Sequence, residues 1–211
     1  MPLRAVVFDY GMVLTGPANP AAHARMLQLT QLPKPVFEEN YWRHRLDYDR
    51  GTLNGQTYWQ MFADTASATL DQTTINRLIE QDILLWTDLN PVMLRWVSQV
   101  QAAGFRTAIL SNMGAELLAH MRKNFHWLES FDHLTWSCEL DLIKPEAAIY
   151  KHTLEKLAVR ADEALFLDDK IENVEGARRV NMHSFPFRDM VTLQADLQRE
   201  GWTKQLPPLP A

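Results

Sequence analysis

Four polar side chains that could do chemistry each follow a short apolar run. They are Asp9 after residues 3–8, Ser111 after 107–110, and Asp168 with Asp169 after 164–167. In an open parallel sheet, residues just beyond the carboxyl ends of the strands meet in one crevice. Three acids there repel one another unless they are protonated or share a hard divalent cation with oxygen ligands. Each aspartate alone is equally consistent with a turn or a helix cap, but together they predict a Mg²⁺ site.

The apolar runs indicate parallel strands, and two segments between the later runs indicate helices. Residues 116–125 and 147–157 carry apolar side chains at helical spacing. Strands that alternate with helices predict an α/β fold, with a three-layer Rossmann-like core and a mainly parallel sheet. We expect this core domain to comprise residues 1–16 and 89–202, followed by an extended tail at 203–211.

Residues 17–88 have a different composition and predict a small all-helical cap domain inserted after the first strand. They contain helical patterns interrupted by proline and glycine, and no strand run. This segment is rich in aromatic residues, namely Phe37, Tyr41, Trp42, Tyr48, Tyr58, Trp59 and Phe62. We expect most of these rings to fill the core of a helical bundle and some to line a ligand pocket.

The cap also carries a charged stretch, HRLDYDRG, at residues 44–51. One interpretation is a solvated helix end before a glycine turn. The other is that Arg45 or Asp49 reaches the crevice and selects the substrate.

The bulk composition excludes several classes of function. The 211 residues include 46% hydrophobic and 22% charged residues, as in an ordinary globular protein, and the net charge is −5. Basic residues are dispersed, so we expect no nucleic acid partner.

The chain enters a strand pattern directly and has no long apolar segment, so we expect no signal peptide and no membrane partner. The single Cys138 fits a reducing compartment, and we expect a cytoplasmic protein. Its oligomeric state stays open.

Four segments, in order, resemble the motifs of the haloacid dehalogenase superfamily of aspartate-nucleophile hydrolases. They are FDYGMVL at 8–14, LSNMG at 110–114, LIKPEAAIY at 142–150 and FLDDKIENVEGA at 166–177. The resemblance covers nearly the whole chain, and a helical insertion after the first motif matches the cap of one subclass. The opening motif is most similar to the phosphatase branch with FDxGGVL-type openings. The resemblance thus implies a Mg²⁺-dependent hydrolase of a small phosphate monoester.

The resemblance also implies roles for individual residues. Asp9 would be the nucleophile that forms an aspartyl-phosphate. Ser111 and Asn112, with the turn at Met12, would bind the phosphoryl group, and Lys144 would supply positive charge to it.

For Mg²⁺, the resemblance implies Asp9, Asp169 and the backbone carbonyl of Gly11 as ligands. Asp168 would orient Lys144 or contact the metal through water. Within the fourth motif, Asn173 stands where relatives often have another acid. In the same helix, we expect Ile171, Val174 and Ala177 to face inward at three-residue spacing.

Gly11 departs from the family pattern. Most phosphatases of the superfamily have a second aspartate there, which protonates the leaving oxygen and then activates water. General acid-base assistance is worth about 10²- to 10⁴-fold, so its loss should slow poor leaving groups. Two alternatives remain open. The substrate could need little protonation, as an anomeric sugar phosphate or an acyl phosphate does, or the cap or the substrate could supply the acid.

Two other functions are compatible with the sequence. A 2-haloacid dehalogenase shares the nucleophile and the lysine and also lacks the second aspartate, but its site is metal-free. A catalytically weak binding or regulatory protein would keep the fold without turnover, since fold alone does not determine function.

Overall fold

The computed structural model of the protein describes residues 2–210, so Met1 and Ala211, at the ends of the predicted core and tail, lie outside it. Its centre is a five-stranded sheet in the order β3-β2-β1-β4-β5. The strands are β1 (Ala5–Phe8), β2 (Arg106–Ser111), β3 (His133–Trp136), β4 (Ala164–Asp168) and β5 (His183–Pro186). All four strand pairings are parallel. The predicted α/β fold with a mainly parallel sheet is confirmed.

The central strand β1 divides its side chains between two apolar layers. Val6 and Phe8 face one layer and Ala5 and Val7 face the other, and all four are fully buried. Successive side chains of a strand point to opposite faces, so a strand covered on both faces must be apolar throughout. This is why the central strands could be recognised as continuous apolar runs.

Five helices follow β1 and pack on one another. They are α1 (Pro20–Thr30), α2 (Lys34–Arg43), α3 (Arg45–Arg50), α4 (Gly55–Ala66) and α5 (Gln72–Leu85). Asn19, Asn54 and Asp71 accept backbone hydrogen bonds at the starts of α1, α4 and α5, and thereby cap them. Gly51 ends α3 in the left-handed region, at φ 92°.

The interior of this helical group is largely aromatic. Six of the seven predicted aromatic residues of the segment are buried, and Trp42 is the exception at 46% exposure. The prediction that most of these rings form a core is therefore confirmed. The domain boundaries at residues 16/17 and 88/89 stay predictions; near them, Thr15 and Leu89 form an isolated antiparallel bridge.

Six further helices complete the core around the sheet. They are α6 (Pro91–Ala102), α7 (Ala115–Asn124), α8 (Ser137–Leu140), α9 (Ala147–Leu157), α10 (Ile171–Arg179) and α11 (Met190–Arg199). The Val6 layer of the sheet packs against α6, α7 and α11, and the Ala5 layer packs against α9 and α10. The sheet thus lies between two helical layers.

Helix α10 differs from its predicted orientation at one residue. Val174 and Ala177 are fully buried as expected, but Ile171 is 55% exposed, so the prediction that it faces inward is wrong. Ile171 is the first residue of the helix, beyond the reach of the packed layer. At the buried end, a Cβ on Gly176 would lie 2.7 Å from Tyr150 Oη, so the lack of a side chain at this position allows α10 to pack closely against α9.

The C-terminal residues pack partly on the core. A short 3₁₀ turn spans Trp202–Lys204, and Leu206 is buried. Trp96 Nε1 donates a hydrogen bond to the Pro207 carbonyl at 3.1 Å. Beyond this turn, residues 205–210 of the predicted tail have no helix or strand. None of the helices between residues 2 and 210 is long and apolar enough to cross a membrane.

Candidate active site

A buried lysine joins two aspartates at the carboxyl end of the sheet. Lys144 Nζ lies 2.8 Å from Asp9 Oδ1 and 2.6 Å from Asp168 Oδ2. Only 2% of Lys144 is exposed. Burial by itself would lower the pKa of Lys144, but the charges of Asp168 and Asp9 together raise it above its usual value. The lysine is therefore held as a cation, directed at Asp9.

Asp168 is a fully engaged acceptor. Besides Lys144, it accepts hydrogen bonds from the Lys170 backbone N–H at 2.8 Å and from Asn173 Nδ2 at 3.1 Å to each oxygen. These contacts favour a role in orienting Lys144, and contact of Asp168 with the metal through water stays a prediction. Asn173 holds Asp168 in place, as an amide at this position can.

The three predicted acids do come together. Carboxylate oxygens of Asp9, Asp168 and Asp169 lie within 4.8 Å of one another, with one lysine among them. Burial raises the pKa of Asp9 to about 7 even though Lys144 opposes the shift. Burial, and then the charge of Asp168, also raise the pKa of Asp169. Three carboxylates beside one lysine leave the cluster with excess negative charge, and their hard oxygen donors fit Mg²⁺.

The turn after Asp9 brings backbone groups to the same place. Asp9 accepts a hydrogen bond from the Tyr10 N–H at 2.7 Å, and Met12 adopts the left-handed region at φ 59°. The Met12 N–H donates to Thr15 Oγ1 at 2.9 Å, which fixes the turn. Gly11, between Tyr10 and Met12, has φ −63°, and apart from these two neighbours no described residue has an atom within 4 Å of a Cβ built on it. The missing acid at this position is therefore not excluded by space.

Ser111 and Asn112 reach the crevice from the end of β2. Ser111 is 2% exposed and lines a cavity between the core and the cap. The Asn112 side chain pairs with the Lys144 backbone: Nδ2 donates to the carbonyl at 3.0 Å and Oδ1 accepts from the N–H at 2.9 Å. Asn112 thus positions the lysine through its side chain, and its predicted contact with substrate stays a prediction.

A cavity of about 270 Å³ connects these residues with the cap. Nine of the ten predicted site residues line it, all except Asp168: Asp9, Gly11, Met12, Arg45, Asp49, Ser111, Asn112, Lys144 and Asp169. The cap therefore does bring Arg45 and Asp49 to the crevice. Trp42 also lines the cavity, as expected for some of the aromatic residues of the cap. Other walls come from residues to which the sequence assigned no role, including Trp86, Leu117 and Lys170. Lys170 Nζ lies 5.4 Å from the centre of the Trp42 ring, which is a cation–π contact between core and cap.

Arg45 belongs to a second buried ion cluster, inside the cap. Its Nε donates to Asp49 at 2.8 Å, and its Nη1 donates to the two oxygens of Asp82 at 2.9 and 3.1 Å. The guanidinium lies 5.1 Å from the Tyr41 ring centre and 5.0 Å from that of Tyr48. Arg45 is thus largely committed to the cap, and Asp82 was missed by sequence reasoning. The sequence pattern that could have revealed Asp82 is its position on the same helical face as the apolar residues Ile75, Leu78 and Leu85.

Helix α3 is fixed to the core on both sides of Asp49. The Ser137 hydroxyl donates to the Asp49 carbonyl and accepts from the Met113 N–H at 3.0 Å. Tyr48 Oη donates to Glu116 at 2.9 Å. Arg50 forms an ion pair with Glu146. The Asp49 backbone is therefore held against the loop that follows Ser111.

Comparison with known proteins gives several matches. The chain is 30% identical to (S)-2-haloacid dehalogenase 1 of Pseudomonas sp. (strain CBS-3) over 193 residues, which are 83% of this chain and 80% of that protein. It is 32% identical to bifunctional epoxide hydrolase 2 of Rattus norvegicus over 128 residues, 58% of this chain. The match spans only 23% of that hydrolase's length.

Solved structures share the fold. A haloacid dehalogenase (HAD) family enzyme from Bacteroides thetaiotaomicron aligns with a TM-score of 0.75 at 16% identity, over 92% of this chain and 98% of that one. The same enzyme was solved in complex with magnesium and inorganic phosphate, with a TM-score of 0.70, 17% identity and coverage of 90% and 98%. At this identity the likeness concerns the fold alone.

The family itself follows from a match along most of the chain. The model of the haloacid dehalogenase-like hydrolases matches residues 3–181, which include β1, β2, β4 and every residue of the cavity. The four resembling segments fall within that range and meet at one end of the sheet. This chain belongs to the haloacid dehalogenase-like hydrolases.

Proposed function

We propose that the protein is a Mg²⁺-dependent phosphatase that hydrolyses a small phosphate monoester through an aspartyl-phosphate on Asp9. The observation that carries this proposal is the cluster of three carboxylates within 4.8 Å around one buried lysine. Such a cluster needs a further cation, and a phosphate dianion needs one too. The magnesium and phosphate complex of the Bacteroides thetaiotaomicron enzyme supports the same class of chemistry on this fold.

Each residue of the site then has a task. Asp9, at the end of the rigid strand β1, attacks phosphorus, and the bond to the leaving oxygen breaks. Lys144 stabilises the negative charge on the transferring phosphoryl group, and Ser111 donates a hydrogen bond to it. Asp168 keeps Lys144 directed at the reaction centre, through the 2.6 Å contact. Water then attacks phosphorus of the aspartyl-phosphate and releases Asp9.

Asp9, Asp169 and the Gly11 carbonyl would hold the metal ion. When bound, Mg²⁺ supplies positive charge to the phosphoryl oxygens. A sugar phosphate is one candidate for the ester, because an anomeric leaving group needs little protonation. The cap wall offers Trp42 and Trp86 as well as the polar Arg45 and Asp49, so one side of the substrate would be apolar.

A 2-haloacid dehalogenase is the second candidate. The 30% identity to (S)-2-haloacid dehalogenase 1 favours it, as does the glycine in place of a second acid. Against it stands the third carboxylate: Asp169 would repel an anionic haloacid beside Asp9 unless a cation were bound.

One assay separates these functions. Hydrolysis of 4-nitrophenyl phosphate is measured with Mg²⁺ and with EDTA, beside chloride release from 2-chloropropionate, for the wild type and Asp9→Asn. We expect phosphate release that requires Mg²⁺ and that Asp9→Asn lowers at least about 10³-fold, as removal of a nucleophile does in other hydrolases.

The other outcomes contradict the proposal in different ways. Chloride release that is indifferent to EDTA would identify a dehalogenase. Absence of both activities in a folded protein would favour a binding or regulatory role. A control variant, Asp47→Asn, changes an exposed acid of α3 outside the cavity and should retain wild-type rates.

A further inference from the structure

The cavity contains one carboxyl group that the proposed reaction does not yet use. Three of its described lining residues are acids: Asp9, Asp49 and Asp169. Asp9 is the proposed nucleophile and Asp169 a proposed metal ligand. Asp49 lies on the cap wall, where the leaving group of a phosphate ester bound at Asp9 would project. From this placement, and resting on the proposed function, we infer that Asp49 is the general acid that replaces the aspartate missing at Gly11.

The cap cluster leaves Asp49 able to hold a proton. One cation, Arg45, faces two carboxylates, so the buried group as a whole has excess negative charge. Asp82 takes the larger share of the donors, with two hydrogen bonds from Arg45 Nη1 and one from Tyr41 Oη. Asp49 receives the single contact from Arg45 Nε. Protonation of Asp49 therefore costs less stabilising interaction than protonation of Asp82.

The surroundings of Asp49 support this assignment. Burial raises the pKa of Asp49 to about 6, although Arg45 opposes the shift. The charged and titratable groups that act on it are Arg45 on its own helix, Asp82 from α5, Tyr58 from α4, Cys138 from α8 and Lys170 from the loop after β4. A carboxyl group with this pKa can both give and take a proton near neutral pH.

The position of Asp49 is also fixed independently of its own side chain. Ser137 connects the Asp49 carbonyl to the Met113 N–H, two residues after Ser111, and is itself fully buried. A cap acid can replace a core acid only if cap and core keep a constant distance, and this bridge provides that constraint.

The proton balance of the two steps is simple. In the first step the Asp9–phosphorus bond forms, the bond between phosphorus and the leaving oxygen breaks, and the Asp49 proton passes to that oxygen. In the second step the Asp49 carboxylate takes a proton from the water that attacks phosphorus. The bond from Asp9 to phosphorus breaks, inorganic phosphate leaves, and Asp49 is protonated again.

The test compares leaving groups. The parameter measured with Mg²⁺ is kcat/KM, which reports the steps through departure of the leaving group and not the later attack of water. It is compared for 4-nitrophenyl phosphate, whose leaving group needs little protonation, and phenyl phosphate, whose leaving group needs more. For Asp49→Asn we expect a loss below about threefold on the first ester and a loss of about 10²- to 10⁴-fold on the second. The double variant Asp49→Asn/Gly11→Asp should recover at least about tenfold on phenyl phosphate, because Gly11 has room for a side chain.

Equal losses on both esters would overturn the inference, since they would indicate a structural or binding role, and so would unchanged rates on both. Asp47→Asn, on the exposed side of the same helix, is the matched control and should change neither rate. A wild type inactive on both esters would refute the phosphatase function itself.

If Asp49→Asn does not fold, the single variant Gly11→Asp decides. It should raise phenyl phosphate turnover by less than about tenfold if Asp49 already acts as the acid. A gain of about 10²-fold or more would mean that the wild type lacks one.

Discussion

Two buried ion clusters in this chain have the same charges but different neighbours. In the core, Lys144 lies between Asp9 and Asp168; in the cap, Arg45 lies between Asp49 and Asp82. Each places one cation between two carboxylates. Both clusters reach the same cavity, but the core cluster has a third acid beside it, whereas three tyrosine rings surround the cap cation.

The two clusters balance their excess negative charge in different ways. In the core, that charge can be neutralised by a metal ion or by protons, so the cluster suits a site that binds an anionic substrate. In the cap, a planar guanidinium with several donors fixes two acids and the surrounding rings in one arrangement. The first cluster is therefore expected to respond to Mg²⁺, and the second to hold the cap together.

The largest effect is expected from Lys144→Met. Loss of this cation should lower the rate on 4-nitrophenyl phosphate by about 10²- to 10³-fold, since charge stabilisation of the phosphoryl group is lost. It also leaves Asp9 and Asp168 unpaired, so urea unfolding should report lower stability, with a smaller deficit when Mg²⁺ is present. Lys151→Met, an exposed lysine of α9, is the control. An activity loss below threefold would contradict the role of Lys144.

Arg45→Met should instead act on stability. Removing one partner from a buried ion pair typically costs about 3–5 kcal/mol, and both Asp49 and Asp82 lose their cation here. The deficit in the free energy of unfolding should be the same with and without Mg²⁺, unlike that of Lys144→Met. Arg43→Met, in an exposed pair with Glu39, should lie within about 0.5 kcal/mol of the wild type. Recovery of Arg45→Met by Mg²⁺ would remove the distinction between the clusters.

Ser137→Ala tests the connection between the two clusters. The change removes a donor to the Asp49 carbonyl and an acceptor for the Met113 N–H, both in a buried place. An unsatisfied buried polar group costs about 1–3 kcal/mol, so we expect a loss in this range in urea unfolding. Ser98→Ala, on the exposed side of α6, should have little effect. A fully stable Ser137→Ala protein would show that the bridge does not hold the cap.

The smallest effect concerns the pH dependence of Mg²⁺ binding. Burial raises the pKa of Asp9 to about 7, so protons compete with the metal below that pH. Titration calorimetry should therefore give weaker Mg²⁺ binding as pH falls from 8 to 6, approaching about tenfold per pH unit for each proton displaced. Equal affinities at both ends of this range would indicate that Asp9 is not a ligand.

The sequence predicted the central strands well and missed the edges of the sheet. The strands β1, β2 and β4 are covered on both faces and must be apolar, so they stand out as continuous runs. The edge strands β3 (HLTW) and β5 (HSFP) have four residues each and begin with a histidine. Such short, partly polar segments carry too little pattern to be distinguished from loops.

The sequence by itself determined the class of fold and the place of the chemistry. Acids at the ends of predicted parallel strands must meet, and Gly11 in the first motif already raised the question of a missing proton donor. Only the tertiary structure decided which charges are partnered. Asp168 is committed to Lys144 and Asn173, and Arg45 is committed to an acid 37 residues away along the chain.

The physical reason is that helical periodicity tells which face of a helix is buried but not what lies opposite it. Asp82 occupies a buried position among apolar residues of α5, and that position becomes intelligible only when α3 brings Arg45 against it. The same packing sets Asp49 on the wall of the cavity, facing the crevice where Gly11 lacks an acid.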